Sequence, residues 1–292
     1  MAVNAILKIP VTTITKGESE EHTDAIAIEE PLEIRLAHGP GVARKVQNIS
    51  VTMRTPGNDA ELACGFLFTE GVIKNVSDIK NAEHCFIACA ENRENVIQVS
   101  LAENVVPNLQ NTERNFYTTS SCGVCGKGSI NAIRTISNYA AYDLETDAII
   151  ADVLTSLPAK LHQQQKVFAD TGGLHASALF NLDGELLLVR EDVGRHNALD
   201  KLIGATLLQN LLPLNNCILL LSGRASFELV QKAAMAGIHI IAAVGAPSSL
   251  AVQLAKEFNI TLAGFLRGQR FNIYTVPRRI LAITNREHEN SY

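Results

Sequence analysis

Cys217-Ile-Leu-Leu-Leu-Ser-Gly-Arg-Ala-Ser-Phe-Glu-Leu-Val-Gln-Lys-Ala-Ala-Met-Ala236 decides the fold class of this chain. Its first five residues are a continuous apolar run, as a strand buried on both faces requires. Ser222-Gly-Arg-Ala-Ser226 turns the chain, and 227 to 236 reads as a helix that Gly237 ends. The same unit follows at once. Ile238 to Val244 is a strand, Gly245-Ala-Pro-Ser-Ser249 a turn in which Ser248 or Ser249 caps the helix Leu250 to Phe258, and Ile260 to Leu266 the next strand. Repeated strand-helix units predict an α/β half with a largely parallel sheet.

Working upstream, Ala198 to Leu212 reads as a helix, and Asp183-Gly184 is a hairpin turn between strands at 178 to 180 and 186 to 189. Ala148 to Gln165 carries Ile149, Val153, Leu157 and Leu161 at helical spacing, with Pro158 expected to interrupt it, and Ile130 to Ile136 is also helical. Nearer the start, Ala25 to Ile28, Leu32 to Leu36 and Val46 to Met53 read as strands, with Gly-Pro-Gly at 39 to 41 as a turn. Asn58 or Asp59 is placed to cap a helix bearing Leu62, Phe66 and Leu67 toward Gly71. Residues 103 to 115 are polar and nonperiodic, which puts a boundary near 113. The expected organisation is a small α+β unit over 1–113 and a larger α/β unit over 114–292.

The 292 residues are 47% hydrophobic, enough for a sizeable core, and the formal charge of -5, with no Trp and 5% aromatics, argues against a general nucleic-acid binder. No stretch approaches the roughly 18 apolar residues of a membrane span, and the first residues lack a secretory pattern. A cytoplasmic location, with no membrane and no nucleic-acid partner, is the expectation. The six cysteines (64, 85, 89, 122, 125 and 217) are too sparse for a disulfide scaffold.

Four segments could carry chemistry. Thr118-Thr-Ser-Ser-Cys-Gly-Val-Cys-Gly-Lys-Gly-Ser129 places Cys122 and Cys125 among glycines just ahead of an apolar helical pattern, where a helix N-terminus and Lys127 favour thiolate. Such a pair is compatible with zinc binding, disulfide exchange or sulfur transfer. Cys85 and Cys89, helped by His84, are the only nearby second half of a zinc site. The mouths 222–226 and 245–249 stand at the carboxyl ends of adjacent strands, where open α/β sheets bind ligands and helix N-termini hold phosphate, so that two mouths could share one ligand.

Thr171-Gly-Gly-Leu-His175 presents an imidazole from a glycine turn. Glu191-Asp-Val-Gly-Arg-His-Asn-Ala-Leu-Asp-Lys201 is dense in ionisable groups, either a solvated face with pairs at 191/195 and 196/200 or a shaped turn. From Gly264 to Arg286 the chain holds Arg267, Arg270, Arg278, Arg279 and Arg286 and no acid, a local anion site in an acidic protein.

Taken in order, Met53-Arg-Thr-Pro-Gly-Asn-Asp59, Ser121-Cys-Gly-Val-Cys-Gly126, Thr171 to His175, Glu191 to Lys201, Ser222 to Ser226 and Gly264-Phe-Leu-Arg267 resemble the formate dehydrogenase accessory sulfurtransferase family, FdhD, over nearly the whole chain. The resemblance implies a sulfurtransferase that accepts persulfide sulfur from a cysteine desulfurase. It would pass that sulfur to the molybdenum or tungsten bis-molybdopterin guanine dinucleotide cofactor, bound as substrate, before the cofactor enters apo formate dehydrogenase. It also implies a cytidine deaminase-like C-terminal domain, a smaller N-terminal domain and a homodimer. By the same resemblance Cys122 is the persulfide carrier and Cys125 its partner in transfer. The segment Phe265, Leu266, Arg267, Gly268, Gln269, Arg270 would meet the cofactor, with His175, Arg195, His196, Ser222, Gly223 and Arg224 as further lining candidates. The deaminase zinc signature is not kept, because Cys122 follows Ser and His175 is followed by Ala-Ser; no zinc is expected. A cofactor-shielding chaperone whose cysteines hold zinc or form a redox lock is the competing reading. A deaminase-derived hydrolase lacks the His-x-Glu that it needs.

Overall fold

The computed structural model describes residues 5–85, 93–109, 139 and 148–282. The boundary near 113, the helix expected at 130–136, Cys89, Cys122, Cys125 and Arg286 lie outside the described residues.

The apolar strand-helix units form as their sequences require. A six-stranded sheet runs in the order β13-β12-β11-β10-β8-β9, with β8 at His175–Asn181, β9 at Leu186–Asp192, β10 at Cys217–Leu221, β11 at Ile240–Ala243, β12 at Thr261–Arg267 and β13 at Arg270–Thr275. Only β10, β11 and β12 are mutually parallel. β8 lies antiparallel to β10, its hairpin partner β9 forms one edge, and β13 folds back on β12 at the other. The expectation of a largely parallel sheet is therefore corrected to a mixed one. Short hairpins at both edges reverse the chain, whereas parallel pairs need the long helical crossovers found only in the middle.

Four strands near the N-terminus, β3 (Glu30–His38), β4 (Lys45–Arg54), β5 (Ile79–His84) and β6 (Val96–Leu101), make a second sheet in the order β4-β3-β6-β5. Between the sheets lie α1 (Asp59–Thr69) and α4 (Arg195–Leu208), with α5 (Phe227–Met235) and α6 (Ser249–Glu257) alongside. One apolar cluster runs through this layer, from Leu32, Ile34 and Leu36 through Leu62 and Leu67 to Leu199, Leu202, Leu219 and Ile241. Each such buried side chain contributes about 1.5–3 kcal/mol. On the far face of the large sheet, α2 (Ala151–His162) buries Leu154, Leu157 and Leu161 in a second cluster with Ala178, Phe180 and Ile218. The helix passes through Pro158 without the expected interruption, because these leucines hold it to the sheet. A short α3 (Lys166–Thr171) follows, and Ile149 belongs instead to β7 (Ile149–Ile150), which pairs with β14 (Ile280–Leu281). β1 (Ile6–Thr15) and β2 (Glu18–Ala27) form a separate antiparallel ribbon; β2 takes in Ala25 to Ala27 of the strand expected at Ala25 to Ile28, and the rest of the ribbon lies outside the expected strands.

The entry to α1 also differs in chemistry. Asn58 stands at the N-cap position in the left-handed region (φ 58°), but its side chain makes no capping bond. Asp59 instead receives Nε and Nη2 of the buried Arg54, both at 3.0 Å. Arg54 Nη2 also reaches the Glu94 carbonyl and Asn95 Oδ1, so the 53–59 motif is a structural clamp inside the small sheet.

Candidate functional site

The site is built where three parallel strands end. Val244 N donates to the Leu221 carbonyl at 3.0 Å, Gly245 N to the Gly223 carbonyl at 2.9 Å, and Phe265 N to the Gly245 carbonyl at 3.0 Å. Ala225 N bonds the Ala246 carbonyl, Ser248 N bonds the Ala225 carbonyl, and Ala225 bridges Pro247 in parallel register. The mouths at 222–226 and 245–248 are thus one surface, extended by 264–267 into a rim. Its closeness depends on small residues. A Cβ on Gly245 would meet the backbone of Arg224 at 3.0 Å, and one on Gly264 would meet Pro247 Cδ at 2.8 Å.

Ser248 caps α6 by accepting from Ala251 N at 3.2 Å, whereas Ser226 caps α5 by position without a side-chain bond. The Ser222 hydroxyl oxygen accepts from Ala176 N at 2.8 Å, and Ser222 N donates to the Ala176 carbonyl, which ties the start of β8 to the end of β10. The hydroxyl proton of Ser222 and one lone pair of its oxygen remain for a ligand.

His175, Gly223, Arg195 and His196 come together here. A Cβ on Gly223 would touch His175 Nδ1 at 3.4 Å. Burial depresses the His175 pKa, and the positive fields of Arg195 and His196 depress it further against Asp192, so its neutral form is favoured. Arg195 has a buried Nε with no hydrogen-bond partner among the described residues, a donor that a ligand or water would satisfy. His196 Nε2 lies 2.8 Å from Glu228 Oε2 and 3.4 Å from Ser226 Oγ. Because both contacts converge on one nitrogen, the set is not a serine-histidine-acid triad, in which the ring uses both. That hydrogen bond is the main reason the Glu228 carboxyl is held low; burial opposes it, and the charges of His196, Arg195 and Lys232 add to it.

Arg224 is exposed on the rim, as are Arg267, Gly268, Gln269 and Arg270 on the tight β12–β13 turn. Arg267 faces Arg270 across the turn, and Gly268 sits at φ 54°. None of these three arginines pairs with an acid among the described residues. Phe265 is 39% exposed and occupies φ 55°, a left-handed conformation uncommon for a bulky side chain, where the β12–β13 register slips.

Three sequence expectations are corrected. The Leu266 side chain is packed in the second core cluster and cannot line the rim. Arg279 is buried and donates to the Asn259 carbonyl and Thr261 Oγ1, while Arg278 donates to Asn259 Oδ1, so both brace the opposite, amino-terminal end of β12. Within 191–201 the pairs are not the helical-surface pairs expected at 191/195 and 196/200. Glu191 instead accepts from Val167 N and Phe168 N, Asp192 and Lys201 form a buried pair at 2.7 Å, and Asp200 bonds Lys232 on α5. Asn197 Nδ2 and Lys201 Nζ reach the carbonyls of Met53 and Thr55. The segment therefore welds the small sheet to the site and leaves Arg195 and His196 as its rim-facing members.

Of the described cysteines, burial pushes the Cys64 thiol up to about 12, with Glu61 adding to it, and burial raises Cys217 as well. Neither is suited to act as a nucleophile. His84, considered for a zinc half-site with Cys85, pairs with Asp59. No group of three His, Cys, Asp or Glu able to hold a metal occurs among the described residues, and no helix among them is long and apolar enough to cross a membrane.

Fold and rim together define a mixed α/β protein with a cationic site at the carboxyl ends of its parallel strands. Residues 27–281 match the model of the FdhD/NarQ family, and the chain belongs to that family. It is 52% identical over 274 residues, 92% of this chain and 97% of the other, to the sulfur carrier protein FdhD of Mycolicibacterium paratuberculosis. It is 40% identical over 275 residues, 94% and 98% of the two chains, to the protein of the same name in Saccharolobus solfataricus. Among solved structures, a candidate formate dehydrogenase accessory protein from Desulfotalea psychrophila superposes with a TM-score of 0.70 at 26% identity, covering 95% of this chain and all of that one.

Proposed function

We propose that this chain is a cytoplasmic sulfur carrier for formate dehydrogenase maturation. It takes sulfane sulfur from a cysteine desulfurase onto Cys122 and passes it to a bis-molybdopterin guanine dinucleotide cofactor held as substrate at the strand-end rim. One observation carries the ligand assignment. Three strand ends are fused into a rim with Arg195, Arg224, Arg267 and Arg270, and Glu228, the one acid bonded to a rim side chain among the described residues, is occupied by His196. A polyphosphate dinucleotide fits such a donor set, and the Arg195 Nε, which has no hydrogen-bond partner among the described residues, supports it. The names of the relatives support the sulfur chemistry. In this reading the sheet is the deaminase-like core of a 114–292 domain, 1–113 is the smaller domain, and the protein acts as a homodimer.

The two cysteines supply the electrons for the transfer. The Cys122 thiolate attacks the terminal sulfur of the donor persulfide, forming a Cys122 persulfide and releasing the donor thiolate. A Cys125 thiolate then attacks the Cys122 Sγ. This forms the Cys122–Cys125 disulfide and expels hydrosulfide, which, with one further proton from solvent, replaces an oxo ligand of the substrate as that oxygen leaves as water. The two electrons that reduce sulfane sulfur come from the two cysteines.

The test is peptide mass spectrometry after incubation with a cysteine desulfurase and cysteine. The expected result is a reducible gain of one sulfur on the 118–129 peptide, lost in Cys122→Ala and retained in Cys125→Ala. No gain on that peptide, with stoichiometric zinc on the native protein, would overturn the carrier chemistry in favour of a cofactor chaperone.

A further inference from the structure

Glu228 lies outside every segment singled out for chemistry, yet it is the only acid bonded to a side chain of the rim among the described residues. We propose that Glu228 is a positioning residue: it fixes His196 as the Nε2–H tautomer and so makes Nδ1 the ring atom offered to the bound ligand. The inference rests on the rim being the ligand site.

Three observations carry it. Glu228 Oε2 stands 2.8 Å from His196 Nε2, an ordinary donor-acceptor separation, and an ionised carboxylate can only accept, so the proton must be on the nitrogen. Second, Ser226, the residue that would normally spend its oxygen capping α5, makes no capping bond and sets its Oγ 3.4 Å from the same nitrogen. Helix-cap chemistry has been given up on the side of the ring that Glu228 holds. Third, both contacts are on Nε2, and Nδ1 has no hydrogen-bond partner among the described residues.

The charged neighbours agree. Arg195 precedes His196, His175 feels the charges of both, and Lys232 acts on Glu228. Against a ligand phosphate, a ring fixed this way acts as a donor through Nδ1 when protonated. Against a base or sugar N–H or O–H it acts as an acceptor when neutral. In either case the geometry is set before the ligand arrives, which lowers the cost of ordering on binding.

The test uses the full-length protein, with Glu228→Gln as an isosteric change, His196→Asn to assign the ring signals, and guanosine diphosphate as the probe. Long-range proton-nitrogen NMR of the ligand-free wild type is expected to show His196 with Nε2 protonated and Nδ1 bare in its neutral form. In Glu228→Gln, whose amide can donate as well as accept, the tautomers mix. Calorimetry should show guanosine diphosphate binding weakened about tenfold by Glu228→Gln. The same change in the His196→Asn background should cost nothing more, since Glu228 acts only through the ring. An unchanged tautomer in Glu228→Gln, or an equal loss of affinity with and without His196, would overturn the positioning role. A folded wild type that fails to bind the probe at all would overturn the ligand reading instead, and the NMR result alone then decides for or against Glu228.

Discussion

Gly65 on α1 and Gly204 on α4 meet backbone to backbone. A Cβ on Gly65 would overlap the Asp200 carbonyl, one on Gly204 would overlap the Glu61 carbonyl, and each would also lie 2.8 Å from the other glycine's nitrogen. This crossing sets the distance between the two sheets, because α1 belongs to the small sheet and α4 carries Arg195 and His196 at its first turn. Backbone cannot yield as a flexible side chain does. Gly204→Ala should therefore destabilise the fold by about 3 kcal/mol or more in urea titration, at the upper end of overpacking effects. Loss of probe binding should accompany it as α4 is pushed off.

Beside that crossing, Lys232 on α5 donates to both Asp200 oxygens at 2.9 Å and to Thr69 Oγ1, while Thr69 donates to Asp200 at 2.8 Å, so three helices share one buried charge pair. Burial alone would lower the Lys232 pKa, and the charge and hydrogen bond of the facing Asp200 carboxylate, with the charges of Glu70 and Glu228, more than offset it. Lys232→Met should cost about 3–5 kcal/mol by chemical denaturation, because Asp200 is left buried without its cation. Pairing it with Asp200→Leu should recover most of the loss.

How much of this was legible depended on what each residue faces. The units from 217 to 266 could be read because strands covered on both sides must be apolar throughout, and the Asp183-Gly184 turn could be read because Gly184 supplies a positive φ of 75°. Of the β1–β2 ribbon only the part-buried end of β2 at Ala25 to Ala27 could be read, since the rest of both strands is largely exposed and its alternation marks no core face. The arginines beyond 264 look alike in sequence. Only the return of the chain along β13 separates Arg267 and Arg270, at one end of the sheet, from Arg278 and Arg279, at the other. Glu228 left no mark because an acid in the first turn of a helix is ordinary; its role depends on α4 being brought alongside α5.

The Asp59–His84 pair makes stability depend on pH in a predictable sense. Hydrogen bonding to Asp59 lifts the His84 pKa above the usual imidazole value, against burial. A raised folded-state value means that its contribution is complete below about pH 6.5 and is lost as pH rises through the folded value. Burial pushes the Asp59 carboxyl up, but the hydrogen bonds from His84 and Arg54 more than reverse it. The Asp59 contribution is therefore present above about pH 4 and is lost in acid. The melting temperature of wild type should exceed that of His84→Gln most clearly near pH 5 to 6. The gap should narrow toward pH 8. A gap that widened with pH would mean His84 is held neutral.

Phe265 separates stability from binding. Its φ of 55° is a conformation that costs a non-glycine residue about 1–2 kcal/mol. Its amide is nonetheless held by the Gly245 carbonyl, and the residue is left exposed at the rim. A side chain that gains little from burial does not repay that strain in the folded protein alone, so the compensation should come from a ligand. Phe265→Gly should remove the strain at some cost in unfolded-state entropy, leaving the melting temperature equal to or above that of wild type. Guanosine diphosphate affinity should fall about tenfold, the order expected for loss of one base-stacking contact. If the same variant melted several degrees lower and bound normally, Phe265 would instead be holding the β12–β13 bulge, and the rim would have no aromatic contact to offer.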